Sequence, residues 1–221
     1  MGRMTAMART LWGRRNSFNL QKVAWLLDEL SLPHDHIEAG GAFGGLDAPS
    51  FRAMNPHGKV PVLRDGDVVL WESHTILRYL AASHGGPDLW PAAPGTRALA
   101  DRWMDWSQAT LQPAFMDLFW GWYRTPEPLR DAARIADAQR RCEDHYGLLD
   151  RELTGRPWLA GDRFTLADIP AGTSLYRWYE MDRPRPELPH LAAWYARLAA
   201  RPAYRRHVMR PFGELWGRAD Y

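Results

Sequence analysis

The stretch "NPHGKVPVLRDGDVVLWES", residues 55–73, sets two short apolar runs side by side with unusual borders. Val62 and Leu63 read as a buried strand, yet Pro61 stands directly before them. Proline has no N–H to give to a ladder, so it belongs at a strand start or edge. Asp65-Gly66-Asp67 then turns the chain into Val68–Trp71, an antiparallel partner. That run stops at Glu72-Ser73, and Ser73, Ile76, Leu77 and Leu80 follow at i, i+3, i+4 and i+7. A hairpin leading straight into a helix is the closing half of a small α/β layer.

Upstream of it, Thr10–Trp12 and His36–Glu38 read as strands around a helix marked by Leu20, Val23, Ala24 and Leu27. A strand–helix–strand start implies a parallel pair, and a further helix leads to the hairpin strands Val60–Leu63 and Val68–Trp71. Downstream, Gly85-Gly86-Pro87 through Pro94-Gly95 is dense in helix breakers. Beyond it the pattern is helical over 96–123, 127–154, 166–180, 188–200 and 202–209. Thr165-Leu-Ala-Asp168 is a capping signal at one of these helix starts. The expected class is α/β plus all-α, with a first domain at 1–85, a linker at 86–95 and an all-helical domain at 96–221.

A chain of 221 residues with 46% hydrophobic content can build two modest cores. A net charge of +2 offers no argument for a nucleic-acid or membrane partner. The single cysteine, Cys142, excludes an internal disulfide and any CxxC motif, and reads as a small buried hydrophobe. The start, "MGRMTAMART", lacks the apolar core of a secretory signal. No uncharged run is longer than residues 106–116, against roughly 18–20 for a membrane span. A cytoplasmic protein is expected. His34 and His36 share a strand face without a third ligand, so no metal is expected, and Gly40–Gly45 lacks the order of a phosphate loop.

Three positions can carry chemistry. Val60-Pro61 reads either as a trans proline opening a strand or as a cis bond, which costs an X-Pro pair only about 0.5–1 kcal/mol. A cis bond would turn the Val60 backbone outward, toward an extended ligand. Glu72-Ser73 reads as a plain helix start, or as a helix N-terminus where a hydroxyl and free N–H groups hold a carboxylate while Glu72 holds an ammonium. Ser17, between the first strand and first helix, is a cap or a donor to an anion, and Asn19 has the same two readings. Lys22 and Lys59, the only lysines among 28 cationic residues, fall beside these segments.

With Ser17, Val60-Pro61 and Glu72-Ser73 in this order, the chain resembles the cytosolic glutathione S-transferase family along essentially its whole length. Residues 55–73 and "LAGDRFTLADI", 159–169, carry the likeness most specifically. The resemblance implies a thioredoxin-like N-terminal domain and a C-terminal helical bundle, with glutathione as co-substrate. It implies that Val60 pairs its backbone with glutathione beside a cis Pro61. His57 and Lys59 would meet the glycine carboxylate, and Glu72 and Ser73 the γ-glutamyl end. Ser17, or Asn19 as in some bacterial and fungal relatives, would stabilise the thiolate that attacks a hydrophobic electrophile. Glutathione-dependent reduction, dehalogenation or mere glutathione binding are the alternatives.

Several class signatures are missing. There is no early tyrosine as in the alpha, mu and pi classes, no cysteine near Ser17 as in omega and beta, and no Ser-Ser-Cys motif as in zeta. A bacterial theta-like or nu-like member remains. The family also implies a homodimer, with Asp105 matching an acidic residue that some classes present across the two-fold axis. Residues 103–123 hold four tryptophans, two phenylalanines and a tyrosine, more rings than one stripe needs. Phe115, Trp120 and Tyr123, with Trp216 on the tail, are the expected walls of the hydrophobic pocket.

Overall fold

The computed structural model describes residues 9–219. Most of the N-terminal stretch read above for a secretory signal therefore lies outside the described residues. Four strands, β1 (Arg9–Trp12), β2 (Asp35–Ile37), β3 (Val62–Asp65) and β4 (Val68–Trp71), form one sheet in the order β2-β1-β3-β4. β1 runs parallel to β2 and antiparallel to β3, and β3 is antiparallel to β4. The βα crossover that a parallel pair demands is α1 (Phe18–Glu29), which buries Leu20, Val23, Ala24 and Leu27 as their spacing predicts. α2 (Pro49–Met54) leads into the hairpin, and α3 (Ser73–His84) follows it, burying Ile76, Leu77 and Leu80. This is a thioredoxin-like layer.

β3 begins at Val62 rather than Val60, because proline cannot join either ladder and the paired register starts at Trp12↔Val62. The helical part begins earlier than predicted, with α4 (Pro94–Trp106), where Pro94 occupies the first turn that tolerates a missing N–H. The predicted helix 96–123 is broken into three further pieces. Ser107–Leu111 and Phe119–Arg124 are π-helical turns on either side of α5 (Gln112–Leu118). Gln112 N donates to Ser107 O, five residues back, just before Pro113, which has no N–H of its own. The predicted 127–154 helix is likewise shorter. Prolines 126 and 128 leave a 3-10 turn at Glu127–Leu129, and α6 (Ala132–Glu152) starts at Asp131, whose carboxylate accepts from Arg134 N at 3.0 Å.

α7 (Asp168–Glu180), α8 (Pro189–Ala199) and α9 (Pro202–His207) complete the helical domain. The Thr165–Asp168 signal forms its side-chain hydrogen bonds in the turn just ahead of α7, whose cap position is Ala167. Thr165 N donates to Asp168 Oδ2 at 2.9 Å, and Ala167 N donates to the Thr165 hydroxyl at 3.2 Å. The two domains share one continuous core. Its bridge is Trp25 of α1, fully buried, with ring centroids 4.8 Å from Tyr204 and 5.6 Å from Phe164. Gly172 permits this approach: a Cβ there would stand 2.8 Å from Leu198 Cδ1 and 3.4 Å from the Trp25 ring. Cys142 is fully buried, and that burial pushes its thiol up to about 12. No helix among the described residues is long and apolar enough to cross a membrane.

Candidate active site

The site is built on the loop that leaves β1. Gly13 turns it at φ 146°, and a Cβ there would stand 2.5 Å from Leu20 and 3.0 Å from Val60. The backbone at the end of β1 is therefore drawn against Val60. His36 donates from its ring to Gly13 O at 2.8 Å, a tie to β2 that the two-histidine pattern did not suggest. From the helical domain, Arg177 donates to Asn16 O at 2.6 Å, so the loop is held from both sides.

Ser17 caps α1: its hydroxyl oxygen accepts from Leu20 N at 3.4 Å, which leaves the hydroxyl proton to donate elsewhere. Two residues on, Asn19 Oδ1 accepts from Lys22 Nζ at 3.0 Å and Gln112 Nε2 at 3.2 Å. Both residues line a cavity of about 400 Å³ at the junction of the two domains. Lys59, Val60 and Trp120 line the same cavity, as do Gln112, Met116 and Phe119 of the helical part. Its cationic side chains are Arg14, Lys59 and Arg177, and among the described residues its lining includes no carboxylate.

The loop 55–59 carries His57 and Lys59 on a buried anchor. Asn55, 2% exposed, accepts from His57 N at 3.0 Å and donates to Lys59 O at 2.8 Å. That anchor escaped the sequence reading, although Asn before Pro-His-Gly is the residue type that ties such a turn. His57 packs on Trp71, with ring centroids 5.1 Å apart. The Val60–Pro61 peptide is cis. Val60 itself precedes both ladders of β3.

Glu72 and Ser73 sit apart from that cavity lining, at the N-terminus of α3. The sequence offered Ser73 as the helix cap, but Glu72 occupies the cap position and Ser73 is the first helical residue. Glu72 has φ 69° and ψ 110°, a backbone region that side-chain-bearing residues enter only at a cost of about 1–3 kcal/mol. Such strain is concentrated where geometry serves a site. Ser73 is buried below it.

The predicted pocket walls divide. Trp120 lies on the cleft, but Phe115 does not: it is fully buried, stacked between Phe18 at 5.7 Å and Phe119 at 6.0 Å. Tyr123 and Trp216 are also outside the lining, because they form a separate cluster behind Phe119. Tyr123 stacks on Phe119 at 5.2 Å and meets Trp216 at 4.9 Å, and Gly217 N donates to Tyr123 O at 2.9 Å. These rings pin the C-terminal tail to the second π turn. Met116 and Phe119 take the places on the cleft, and the π turn at Ser107–Leu111 shifts their register from that of α4. A larger cavity, about 610 Å³, opens on the other side of Trp120 among Asp131, Arg134 and Arg141, and of the predicted site residues it includes only Trp120. The chemistry of anion binding favours the smaller one. Asp105, on α4, faces neither: its carboxylate is 70% exposed and paired with Arg78 of α3 at 2.5 Å, and Asp101 takes the same guanidinium at 2.8 Å.

Behind Ser17 lies a buried polar cluster. Lys22 is fully buried, and beside Asn19 it reaches Gln112 Oε1 at 2.6 Å and His74 Nε2 at 3.2 Å. Burial lowers the Lys22 ammonium to about 7, against the pull of Glu72. Burial, then the charges of Lys22 and Arg78, hold His74 well below the usual imidazole range. Among the described residues no group of three or more His, Cys, Asp or Glu side chains is placed to hold a metal ion.

Known proteins resemble this chain along most of its length. The family model described as the glutathione S-transferase N-terminal domain matches residues 11–88, and its C-terminal counterpart matches 111–202. Glutathione S-transferase GstB of Escherichia coli is 44% identical over 204 residues, 91% of this chain and 98% of that protein. Glutathione S-transferase 3 of Zea mays is 34% identical over 212 residues, 90% of this chain and 92% of its own. Among solved structures, the theta class glutathione S-transferase of Xanthomonas axonopodis pv. citri, crystallised with glutathione bound, superposes with a TM-score of 0.88. It is 54% identical and covers 92% of this chain and 98% of its own. With both domain models matched in order and close relatives covering nine-tenths of the sequence, the chain belongs to the glutathione S-transferase family.

Proposed function

We propose that this enzyme conjugates glutathione to a hydrophobic electrophile, with the peptide lying along the edge from the 55–60 loop to the N-terminus of α3. The observation that carries the reading is that Ser17, Asn19, Lys59 and Val60 line one cavity with Trp120, Met116 and Phe119 of the helical domain. The first four suit the peptide, and the last three suit an apolar electrophile. The Val60 backbone pairs with the cysteinyl unit beside Pro61. His57 and Lys59 meet the glycine carboxylate, while Glu72 and Ser73 take the γ-glutamyl ammonium and carboxylate at the positive end of α3.

The energetics ask little of the site. Lowering a thiol pKa by two units needs about 2.7 kcal/mol. One hydrogen bond to a charged acceptor gives about 1.5–3 kcal/mol, and the N-terminus of α1 adds several tenths. The Ser17 hydroxyl and the Asn19 amide are therefore sufficient donors for the thiolate. The reaction follows directly: the thiolate sulfur attacks the electrophilic carbon, the leaving group departs with its electron pair, and the thioether is released.

A homodimer and a cytoplasmic setting belong to the same proposal, as do the domain bounds 1–85 and 96–221. Asp105 shares the Arg78 guanidinium with Asp101 of its own chain, so the γ-glutamyl site is read as resting on its own chain. Calorimetry at millimolar glutathione, followed by turnover of a generic aryl halide, tests the proposal. Saturable heat competed by S-alkyl glutathione together with turnover is expected. Silence in both would overturn it, and binding without turnover would leave a glutathione-binding protein.

A further inference from the structure

We propose that Lys22 is a positioning residue that acts through Asn19, turning the NH2 end of that amide toward the glutathione sulfur. The inference rests on the transferase reading above and assigns work to a residue outside the cleft lining.

Lys22 is a strange residue to bury. It lies in the N-terminal half of α1, fully enclosed. Its three hydrogen-bond partners, Asn19, Gln112 and His74, come from three different helices and none is a carboxylate. A charge enclosed among neutral groups is costly, and a methionine would fill the same volume more cheaply. What lysine supplies instead is direction. An ammonium has three donors and no acceptor, so every atom it touches must be an acceptor. The Asn19 oxygen is thereby required to face inward, where Gln112 Nε2 also donates to it. The amide is planar, so its NH2 end is directed away from that network. His74 is fixed by the same logic: its Nε2 accepts from Lys22, so its proton resides on Nδ1, which is buried without a hydrogen-bond partner.

The groups that face Lys22 come from its own helix, from the start of α3 and from α5. Asn19 and the Phe18 ring, 4.9 Å from Nζ, belong to its own helix. His74 belongs to α3, the more distant Glu72 caps it, and Gln112 belongs to α5. Glu72 pulls toward the charged form while burial opposes it. As the ammonium, Lys22 has one N–H for each of its three acceptors, Asn19, Gln112 and His74. Gln112 brings the helical domain into the lock, so docking of the two domains sets the amide.

Lys22→Met tests the idea in the full-length protein. Glutathione affinity by calorimetry should change less than about twofold, while kcat/KM should fall about tenfold and the rising limb of its pH profile should move up by about one unit, since tenfold in thiolate stability is one pK unit. In an Asn19→Ala background the same change should cost less than about twofold, the non-additivity expected of residues in one network. A full tenfold loss in that background, or an unmoved pH limb, would overturn the inference. The wild type gives a second measurement that does not depend on how the variant folds. The Asn19 side-chain amide protons should shift more with glutathione than with S-methylglutathione, and equal shifts would also overturn it. No glutathione binding by the wild type would instead defeat the transferase reading, and this inference with it.

Discussion

Each domain completely buries a side chain that is ordinarily charged, Lys22 behind the cleft and Asp168 at the head of α7, and the two are served in opposite ways. Asp168 receives everything a carboxylate can use: Leu159 N at 3.0 Å, Thr165 N at 2.9 Å, the Thr165 hydroxyl at 3.4 Å and Trp194 Nε1 at 3.1 Å. Its partners are backbone and core, and none of them lies on the cleft. Lys22 has partners that include two cleft residues, Asn19 and Gln112. Asp168 therefore holds the fold together, and Lys22 holds the site in order.

The largest effect that could break this contrast is on stability. Asp168→Ala leaves several buried donors unpaired and should cost about 2–4 kcal/mol in chemical denaturation. The protein that remains folded should bind glutathione as the wild type does. A comparable loss of affinity in the folded fraction would mean that Asp168 also shapes the cleft.

Next in size is the chemistry. Ser17→Ala should lower kcat/KM about 10–100-fold with affinity nearly intact, as loss of about 1.5–3 kcal/mol of thiolate stabilisation requires. Asn19→Ala should cost about tenfold, the smaller of the two effects. The reverse order in steady-state kinetics would give Asn19 the leading role.

Smaller but sharper is the pH dependence of stability. Burial raises Asp168 to about 6, so the folded chain binds an extra proton between the ordinary carboxylate value of 3.8 and 6. Its contribution is full below that window and is lost as pH rises through 6. Burial lowers Lys22 from 10.5 to about 7, so between those values the unfolded chain binds the extra proton, and stability rises with pH. Each slope should be worth about 1 kcal/mol or more across its window. Denaturation midpoints measured against pH should lose the first slope in Asp168→Asn and the second in Lys22→Met. Unchanged profiles would show that neither group is as enclosed as its surroundings imply. The smallest effect is at the surface: Asp105→Asn should alter glutathione affinity less than about twofold, since an exposed pair is worth at most about 1 kcal/mol. A clear loss by calorimetry would restore a role for Asp105 across a dimer axis.

Much of the site was legible before any coordinates. The borders of β4 match their prediction, and the sheet layer, its crossover helix and the Thr165–Asp168 turn ahead of α7 follow from local periodicity and local capping chemistry. Ser17, Val60-Pro61 and Glu72 were readable because each marks a break between elements. The pocket walls were not. Phe115 and Phe119 look alike in sequence and both are buried in the core, yet only Phe119 also reaches the cleft lining.

By itself, then, the sequence determined which segments form the layer, where its polar exits lie and which residues stand at them, because these depend on spacings of a few residues. Only the tertiary structure decided that Lys22 is enclosed, that Asp105 is claimed by Arg78, and that Gln112 closes on Asn19 from 93 positions away. Those pairings depend on how two domains dock around Trp25, and no local pattern encodes the partner that packing brings near.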